Sequence, residues 1–288
     1  MSHTAQIITS YGRRYIVRTP DGQTFDATTR KKRVDFACGD QVKISPINAE
    51  QVVIEDFLPR QSLLYRQDAW KTKLIAANVS QLLIVTAAVP SPSEALLQRA
   101  LLAAEAAEIE AVIVLNKADL SETAQWRDKL AFYETLGYRV LETRALEGAE
   151  TLKPVLQGHT NIFLGQSGMG KSTLTNALLG NQAARTGDIS TALDSGKHTT
   201  THAQLYDLNE ETQLIDSPGL QEFGLHHLEA ADLLHYFPDL RHLAGQCRFH
   251  NCTHRAEPNC AVKAAAEAGE VKAERVEFLQ CVTDELLR

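Results

Sequence analysis

The run Gly165-Gln166-Ser167-Gly168-Met169-Gly170-Lys171-Ser172 directly follows the apolar stretch 161–164. Glycines at these spacings permit a tight loop whose backbone amides point inward at phosphate oxygens, and a following helix adds the positive end of its dipole. Lys171 would reach the β- and γ-phosphates of a nucleotide, and the Ser172 hydroxyl would hold Mg2+. Such a loop works only at the carboxyl end of a strand in a parallel sheet, so strands and helices must alternate on either side of it. They do. Strand-like segments fall at 82–87, 111–115, 139–142, 161–164, 204–208 and 213–215, and helical periodicity covers 93–107, 122–136 and 171–179, with Ser93 as an N-cap. A doubly wound α/β domain over 79–237 is the expectation.

A second motif, Asn116-Lys117-Ala118-Asp119, stands at the end of the strand-like segment 111–115. The Asp119 carboxylate can accept from both the ring N–H and the exocyclic amine of guanine, an arrangement adenine does not offer. Asn116 would steady the loop and Lys117 would lie along the base. By itself the motif also suits a helix-capping turn; beside a phosphate loop it selects guanine. A third element, Asp216-Ser217-Pro218-Gly219, again ends an apolar strand. Asp216 can hold Mg2+ through a water, and the Gly219 amide can sense a γ-phosphate. Upstream, Gly196-Lys197-His198-Thr199-Thr200-Thr201 closes a Gly-, Asp-, Ser- and Thr-rich stretch, as expected of a switch in which Thr200 ligates Mg2+ in the triphosphate state.

The order of these elements is informative. In Ras-like GTPases the phosphate loop precedes the base-reading motif, whereas here Asp119 precedes Gly165 by about fifty residues. The expected fold is therefore a circularly permuted P-loop GTPase domain, which keeps its site because packing depends on spatial neighbours and not on chain order.

Before this domain, residues 1–60 read as a small barrel. Short β-like runs at 6–10, 14–19, 23–28, 41–45 and 51–58 are broken by Tyr11-Gly12, Pro20-Asp21-Gly22 and Gly39-Asp40. An OB-fold-like RNA-binding barrel fits, and an SH3-like barrel that only docks is the alternative. Residues 61–78 read as a polar connector. Residues 1–75 carry a charge of +4 and the remainder −11, so an anionic partner would meet the N-terminal part or a local patch.

After residue 238 comes Cys247-Arg248-Phe249-His250-Asn251-Cys252-Thr253-His254 and then Cys260, followed by Ala-, Glu- and Lys-rich helical sequence. Cys247, Cys252, His254 and Cys260 would complete a closed tetrahedral Zn2+ site, structural and not catalytic, with His250 the rival fourth ligand. Residues 238–288 thus read as a mainly helical zinc-binding domain. Arg241, His242, Arg248, His250 and Arg255 give it a basic patch suited to an RNA backbone. Cys38 and Cys281 read as packing residues. The apolar stretches fall short of the ~20 residues a spanning helix needs, and the polar N-terminus lacks a signal peptide's apolar core; a soluble cytoplasmic chain is expected, with no membrane role.

Barrel, permuted nucleotide domain with a Gly-x-His-Thr-Thr-Thr switch, and Cys-x4-Cys-x-His-x5-Cys cluster together resemble the RsgA family of small-subunit ribosome biogenesis GTPases, over almost the whole chain. The resemblance implies GTP hydrolysis stimulated by the 30S subunit, binding near 16S rRNA late in maturation, and release after hydrolysis. It implies guanine binding by Asn116, Lys117, Ala118 and Asp119, a phosphate loop from Gly165 to Thr173, and zinc on Cys247, Cys252, His254 and Cys260. Thr143-Arg144 stands where the family has Ser-Ala. A monomer is expected.

Two other classes compete. An RNA-binding scaffold regulated by guanine nucleotide would bind without useful turnover, and a P-loop kinase would phosphorylate a small metabolite. The guanine motif and the absence of an evident lid or second pocket in the sequence argue against the kinase. For hydrolysis, Leu220 stands where Ras-like enzymes carry a water-orienting Gln, so slow intrinsic turnover is expected. Gln221 is offset by one residue. His198 is the better candidate for positioning water, because an imidazole near neutrality can accept from it.

Overall fold

The computed structural model describes residues 3–12, 14–30, 35–67, 72–180, 202–217 and 224–288. The N-terminal strands are β1 (His3–Tyr11), β2 (Arg14–Arg18), β3 (Thr24–Thr29), β4 (Gln41–Pro46) and β5 (Gln51–Phe57). They pair in the order β1-β2-β3-β5-β4, and β4 returns to β1 through His3↔Ile44 to Gln6↔Gln41, closing a five-stranded barrel. Only β3 and β5 run parallel. Period-two alternation sends Ala5, Ile7, Tyr15, Val17, Val42, Ile44, Val52 and Ile54 inward, where they pack with Phe36. The exit from the barrel is pinned by Arg60, whose Nε and Nη2 donate to Asp40 at 2.7 Å each and whose guanidinium lies 4.3 Å from the Phe57 ring.

The stretch expected as a connector contains an antiparallel hairpin, β6 (Leu63–Gln67) and β7 (Thr72–Ala77). Leu64, Ile75, Ala76 and Ala77 supply its buried side, enough apolar surface to fold a segment whose overall composition is polar.

The nucleotide domain is built on β8 (Gln81–Thr86), β9 (Glu110–Leu115), β10 (Arg139–Glu142), β11 (Thr160–Leu164), β12 (Ala203–Asp207) and β13 (Gln213–Asp216). Spatial order is β10-β9-β8-β11-β13-β12, with every neighbour parallel except β12, which runs antiparallel to β13. Helices α1 (Glu94–Ala106), α2 (Thr123–Thr135), α3 (Lys153–Leu156) and α4 (Lys171–Leu179) accompany the sheet. As expected, Ser93 caps α1, its hydroxyl accepting from Leu96 N at 3.1 Å. All six residues of β8 are buried. Leu82 and Ile84 face α1 and α2 on one side, while Leu83 and Val85 face Leu152, Leu156 and Leu174 on the other.

Strand β12 also pairs with β1, through Thr9↔Gln204 and Ser10↔Ala203, so barrel and nucleotide domain share one continuous sheet of eleven strands. Gln6 and Gln213 exchange side-chain hydrogen bonds at 3.1 Å across this seam, and Arg18 pairs with Asp207 at its rim. Beyond β13 the chain makes 3-10 turns at Ala230–Tyr236 and Arg241–Leu243 and ends in α5 (Ala261–Glu267) and α6 (Ala273–Leu286). Phe237, Leu240, Val262, Leu279 and Val282 join the same core as Leu97 and Leu101 of α1, so the C-terminal region is packed against the nucleotide domain.

Candidate functional site

The phosphate loop, the base-reading motif and Asp216 all lie at the carboxyl ends of neighbouring parallel strands, β11, β9 and β13, where the open ends of an α/β sheet form a crevice. Gly165 has φ +150°, and a Cβ there would stand 2.1 Å from the Val85 carbonyl oxygen. Gly170 has φ +97°, and a Cβ there would stand 2.2 Å from Asn116 Nδ2. Both glycines are therefore required by close approach as well as by backbone conformation.

Lys171 is buried at the start of α4, and its Nζ donates to the Gly165 and Gln166 carbonyl oxygens at 2.7 and 2.8 Å. Burial lowers its pKa, and the nearby Asp216 carboxylate opposes that shift. Ser172 is exposed on the first turn of the same helix, beside Thr173. The Gln166 side chain accepts from Ser93 N at 2.8 Å, and Pro90 packs against Gly168. The loop after β8 thus supports the phosphate loop, a role that no motif in the chain announces.

Asn116, 1% exposed, joins the base side to the phosphate side. Its Nδ2 donates to Met169 O at 2.8 Å, and its Oδ1 accepts from Ala145 N at 3.0 Å. Lys117 adopts φ +57°, and its Nζ donates to Val89 O at 2.8 Å and to Gly168 O at 2.9 Å. Ala118 N donates to Thr143 O at 3.2 Å, so the residue in the family's Ser-Ala position does reach the base loop. Asp119 is exposed. A cavity of about 380 Å³ beside it is lined by Ala118, Thr143, Arg144 and Glu147, among others. Asp216 is 7% exposed at the tip of β13, in register with Phe163 of the strand that leads into the phosphate loop. His198, Thr200, Gly219, Leu220 and Gln221 lie outside the described residues.

The second cluster lies in the C-terminal region. One ligand atom each from Cys247, Cys252, His254 and Cys260 falls within 4.8 Å of all the others. Cys247 Sγ is 3.9 Å from Cys260 Sγ and 3.6 Å from His254 Nδ1, which is 3.4 Å from Cys260 Sγ. Tetrahedral zinc with bonds of about 2.3 Å to sulfur and 2.0 Å to nitrogen requires S···S and S···N separations of roughly 3.5–3.8 Å, so the donor set fits the ion. His254 belongs to the cluster, and the rival His250 is exposed outside it. Two supports were not anticipated. Glu257 accepts from Thr253 N, Thr253 Oγ1 and Arg255 N at 2.7, 2.6 and 3.0 Å, and these hydrogen bonds hold its carboxyl down to about 2. Gln280 of α6 donates to the His254 carbonyl. Arg241, His242, Arg248 and His250 are exposed, whereas Arg255 is paired with Asp284. Cys38 is buried, its thiol donating to Ile8 O, and Cys281 is exposed on α6.

Residues 57–226, the hairpin and most of the nucleotide domain, match the family model described as RsgA GTPase. Over 286 residues the chain is 83% identical to a small ribosomal subunit biogenesis GTPase RsgA from Neisseria meningitidis serogroup C, covering 99% of this chain and 93% of that one. A protein of the same description from Nitrosospira multiformis is 44% identical over 274 residues, 95% of this chain and 88% of the other. Among solved structures, YjeQ from Thermotoga maritima superposes with a TM-score of 0.74 at 29% identity, covering 100% of this chain and 99% of its own. YloQ, described as a circularly permuted GTPase, gives 0.69 at 27% identity, with 100% and 96% covered. With its base-reading strand ahead of its phosphate-loop strand in one shared crevice, the chain belongs to the RsgA family of circularly permuted GTPases.

Proposed function

We propose that the chain binds the 30S ribosomal subunit, contacts 16S rRNA, assists late maturation of the subunit, and leaves after hydrolysing GTP to GDP and phosphate. The observation that carries the reading is the joining of guanine and phosphate elements by Asn116 in a chain more than four-fifths identical to proteins described as small ribosomal subunit biogenesis GTPases.

In this reading Asp119 accepts from guanine, with Asn116, Lys117 and Ala118 shaping the base loop. Gly165, Gln166, Ser167, Gly168, Met169, Gly170 and Thr173 wrap the phosphates, and Lys171 turns from its loop carbonyls to the β- and γ-oxygens. Ser172 and Thr200, with Asp216 through a water, would hold Mg2+, which would supply positive charge to the phosphates as bond cleavage proceeds; Gly219 would sense the γ-phosphate. His198 orients the attacking water. Cys247, Cys252, His254 and Cys260 would hold zinc in a structural role, leaving no open position for chemistry.

The division into a barrel at 1–60, a connector at 61–78, a nucleotide domain at 79–237 and a zinc-binding domain at 238–288 places an RNA-facing unit on either side of the GTPase. We propose a monomer acting in the cytoplasm; no helix among the described residues is long and apolar enough to cross a membrane.

Multiple-turnover GTP hydrolysis with and without 30S subunits tests the reading. Turnover should rise by about a hundredfold or more on adding 30S, where a stabilising group supplied in trans can provide about 10³–10⁵-fold. An unchanged rate would leave a nucleotide-regulated RNA-binding scaffold. Binding to 30S should favour the GTP state and weaken with salt as phosphate contacts are lost.

A further inference from the structure

Arg248, Phe249, His250 and Asn251 fill the interval between Cys247 and Cys252, and all of them are exposed. The cysteines at either end belong to the metal cluster, so the loop between them is anchored twice. Its backbone is tied down as well. Arg248 N donates to the carbonyl oxygen of Asn259, the residue before Cys260, at 3.3 Å, and Cys252 N donates to Phe249 O at 3.2 Å. Phe249 is thus fixed by its backbone while its side chain stands 40% exposed. Every other phenylalanine among the described residues is buried or half-buried.

A single exposed apolar residue needs no explanation by itself. Here the surroundings supply one, because they are hydrogen-bond donors and not aliphatic chains. The Arg248 guanidinium lies 5.5 Å from the Phe249 ring centroid, within the range of a cation–π contact. His250 and Asn251 follow in the same loop, and Arg241 and His242 are exposed on the turn before it. From 241 to 251 the sequence holds no carboxylate, although residues 76–288 as a whole carry a charge of −11. Guanidinium, imidazole and amide groups around an aromatic face are the arrangement that receives an unpaired base: ring stacks on ring, and the donors meet the base edge and the adjoining phosphate. A base stacked within a helix has its faces covered by its neighbours, so the platform selects a nucleotide that is splayed out.

We propose that Phe249 is a stacking platform for one unpaired base of 16S rRNA, with Arg248 beside it to meet the adjoining phosphate. The inference rests on the reading that the chain binds the 30S subunit, and it adds a contact that a knuckle touching only the RNA backbone would lack. Because the loop is held before the RNA arrives, little ordering cost is left to subtract from the stack.

Titration of 30S subunits into full-length zinc-loaded protein, saturated with a non-hydrolysable GTP analogue, tests the contact. Phe249→Leu keeps an apolar side chain and removes the π face, so its affinity should fall by about fivefold or more, the lower end of what one base–aromatic stack contributes. Phe249→Trp keeps the stack and should bind within about twofold of wild type or more tightly. Ultraviolet crosslinking, with peptide and nucleotide mapped by mass spectrometry, should join residue 249 to one unpaired 16S rRNA nucleotide in the wild type and in Phe249→Trp, and this readout decides the matter if Phe249→Leu loses its zinc. Wild-type affinity in a zinc-loaded Phe249→Leu would overturn the proposal. So would a crosslink from residue 249 to a ribosomal protein, or none at that residue in either aromatic form. Failure of the wild type to bind 30S subunits at all would instead overturn the functional reading beneath it, whereas binding that ignores residue 249 removes the stack alone.

Discussion

Asn116 donates to the Met169 carbonyl at 2.8 Å, so a single buried amide ties the base-reading loop to the phosphate loop across 53 residues of chain. Through the same side chain Ala145 N is held at 3.0 Å, and three loops are registered by one residue. A buried amide that makes both kinds of hydrogen bond fixes geometry because leaving either end unpaired costs more than the bond itself returns.

Gly170→Ala tests this registration. The added Cβ would stand 2.2 Å from Asn116 Nδ2 at a φ of +97°, so either Asn116 or the loop must shift. Affinity for fluorescent GDP should fall by about tenfold or more, in line with strain of 1–3 kcal/mol at such a position. A wild-type affinity would show that the contact does not constrain the site.

Asp119→Asn inverts the donor and acceptor pattern offered to the base. GTP binding should weaken and xanthosine triphosphate should be favoured, because the amide donates where the carboxylate accepted. Competition between the two nucleotides against a fluorescent analogue measures it, and undiminished GTP affinity would remove Asp119 from the base site.

The knuckle should carry about one zinc per chain as purified, by elemental analysis. Cys252→Ser should unfold the C-terminal region while sparing nucleotide binding, since structural zinc supplies about 10 kcal/mol or more to small metal sites. Glu257 ties together Thr253 and Arg255, the residues on either side of His254. Its folded-state pKa is lowered to about 2, so its stabilising contribution is present above the ordinary glutamate range and is lost as pH falls through about 2. At neutral pH Glu257→Gln should release zinc to a chelator about tenfold faster, as when partners of metal ligands are removed. Equal release rates would confine Glu257 to the loop's own conformation.

His198→Ala should leave GTP and 30S binding nearly intact while cutting 30S-stimulated turnover by ~10²-fold or more. Thr200→Ala should lower turnover as well, through the metal. Wild-type stimulated rates in His198→Ala would assign the water to Gln221 or to a ribosomal group.

The barrel was legible because its strands carry strict alternation between turn signals: Ile7, Tyr15, Val17, Val42 and Ile44 all face inward as the pattern requires. What pattern alone left open was barrel type, and pairing of β1 with both β2 and β4 settles that closure. The hairpin of β6 and β7 was missed because Arg66 and Lys73 lie among its few apolar residues, and its burial comes from neighbours distant in sequence. In the nucleotide site, motif residues announce themselves by type and spacing. Pro90 and Ala145 support the site through ring packing or a backbone group, for which many residue types would serve, so nothing in their identity marked them, and Ser93 was marked only as a helix cap, not as the partner of Gln166. His254, already preferred to His250 from the sequence and the family resemblance, is the imidazole that joins the three cysteines.

The seam between β1 and β12 has a consequence for how the chain is made. Every strand of the barrel lies within residues 3–57, so it can close soon after emerging from a ribosome, yet Thr9 must wait for Gln204, 195 residues later, before its side-chain hydroxyl finds its partner. At ordinary elongation rates that interval is roughly ten to forty seconds, during which one edge of β1 stands open. Gln6, Thr9 and Ser10, the residues that later meet the nucleotide domain, are polar and hold that edge in water without inviting a wrong strand. The newborn barrel is thus a finished unit with a deferred joint, and translation itself sets the order in which the two halves of the sheet are sewn together.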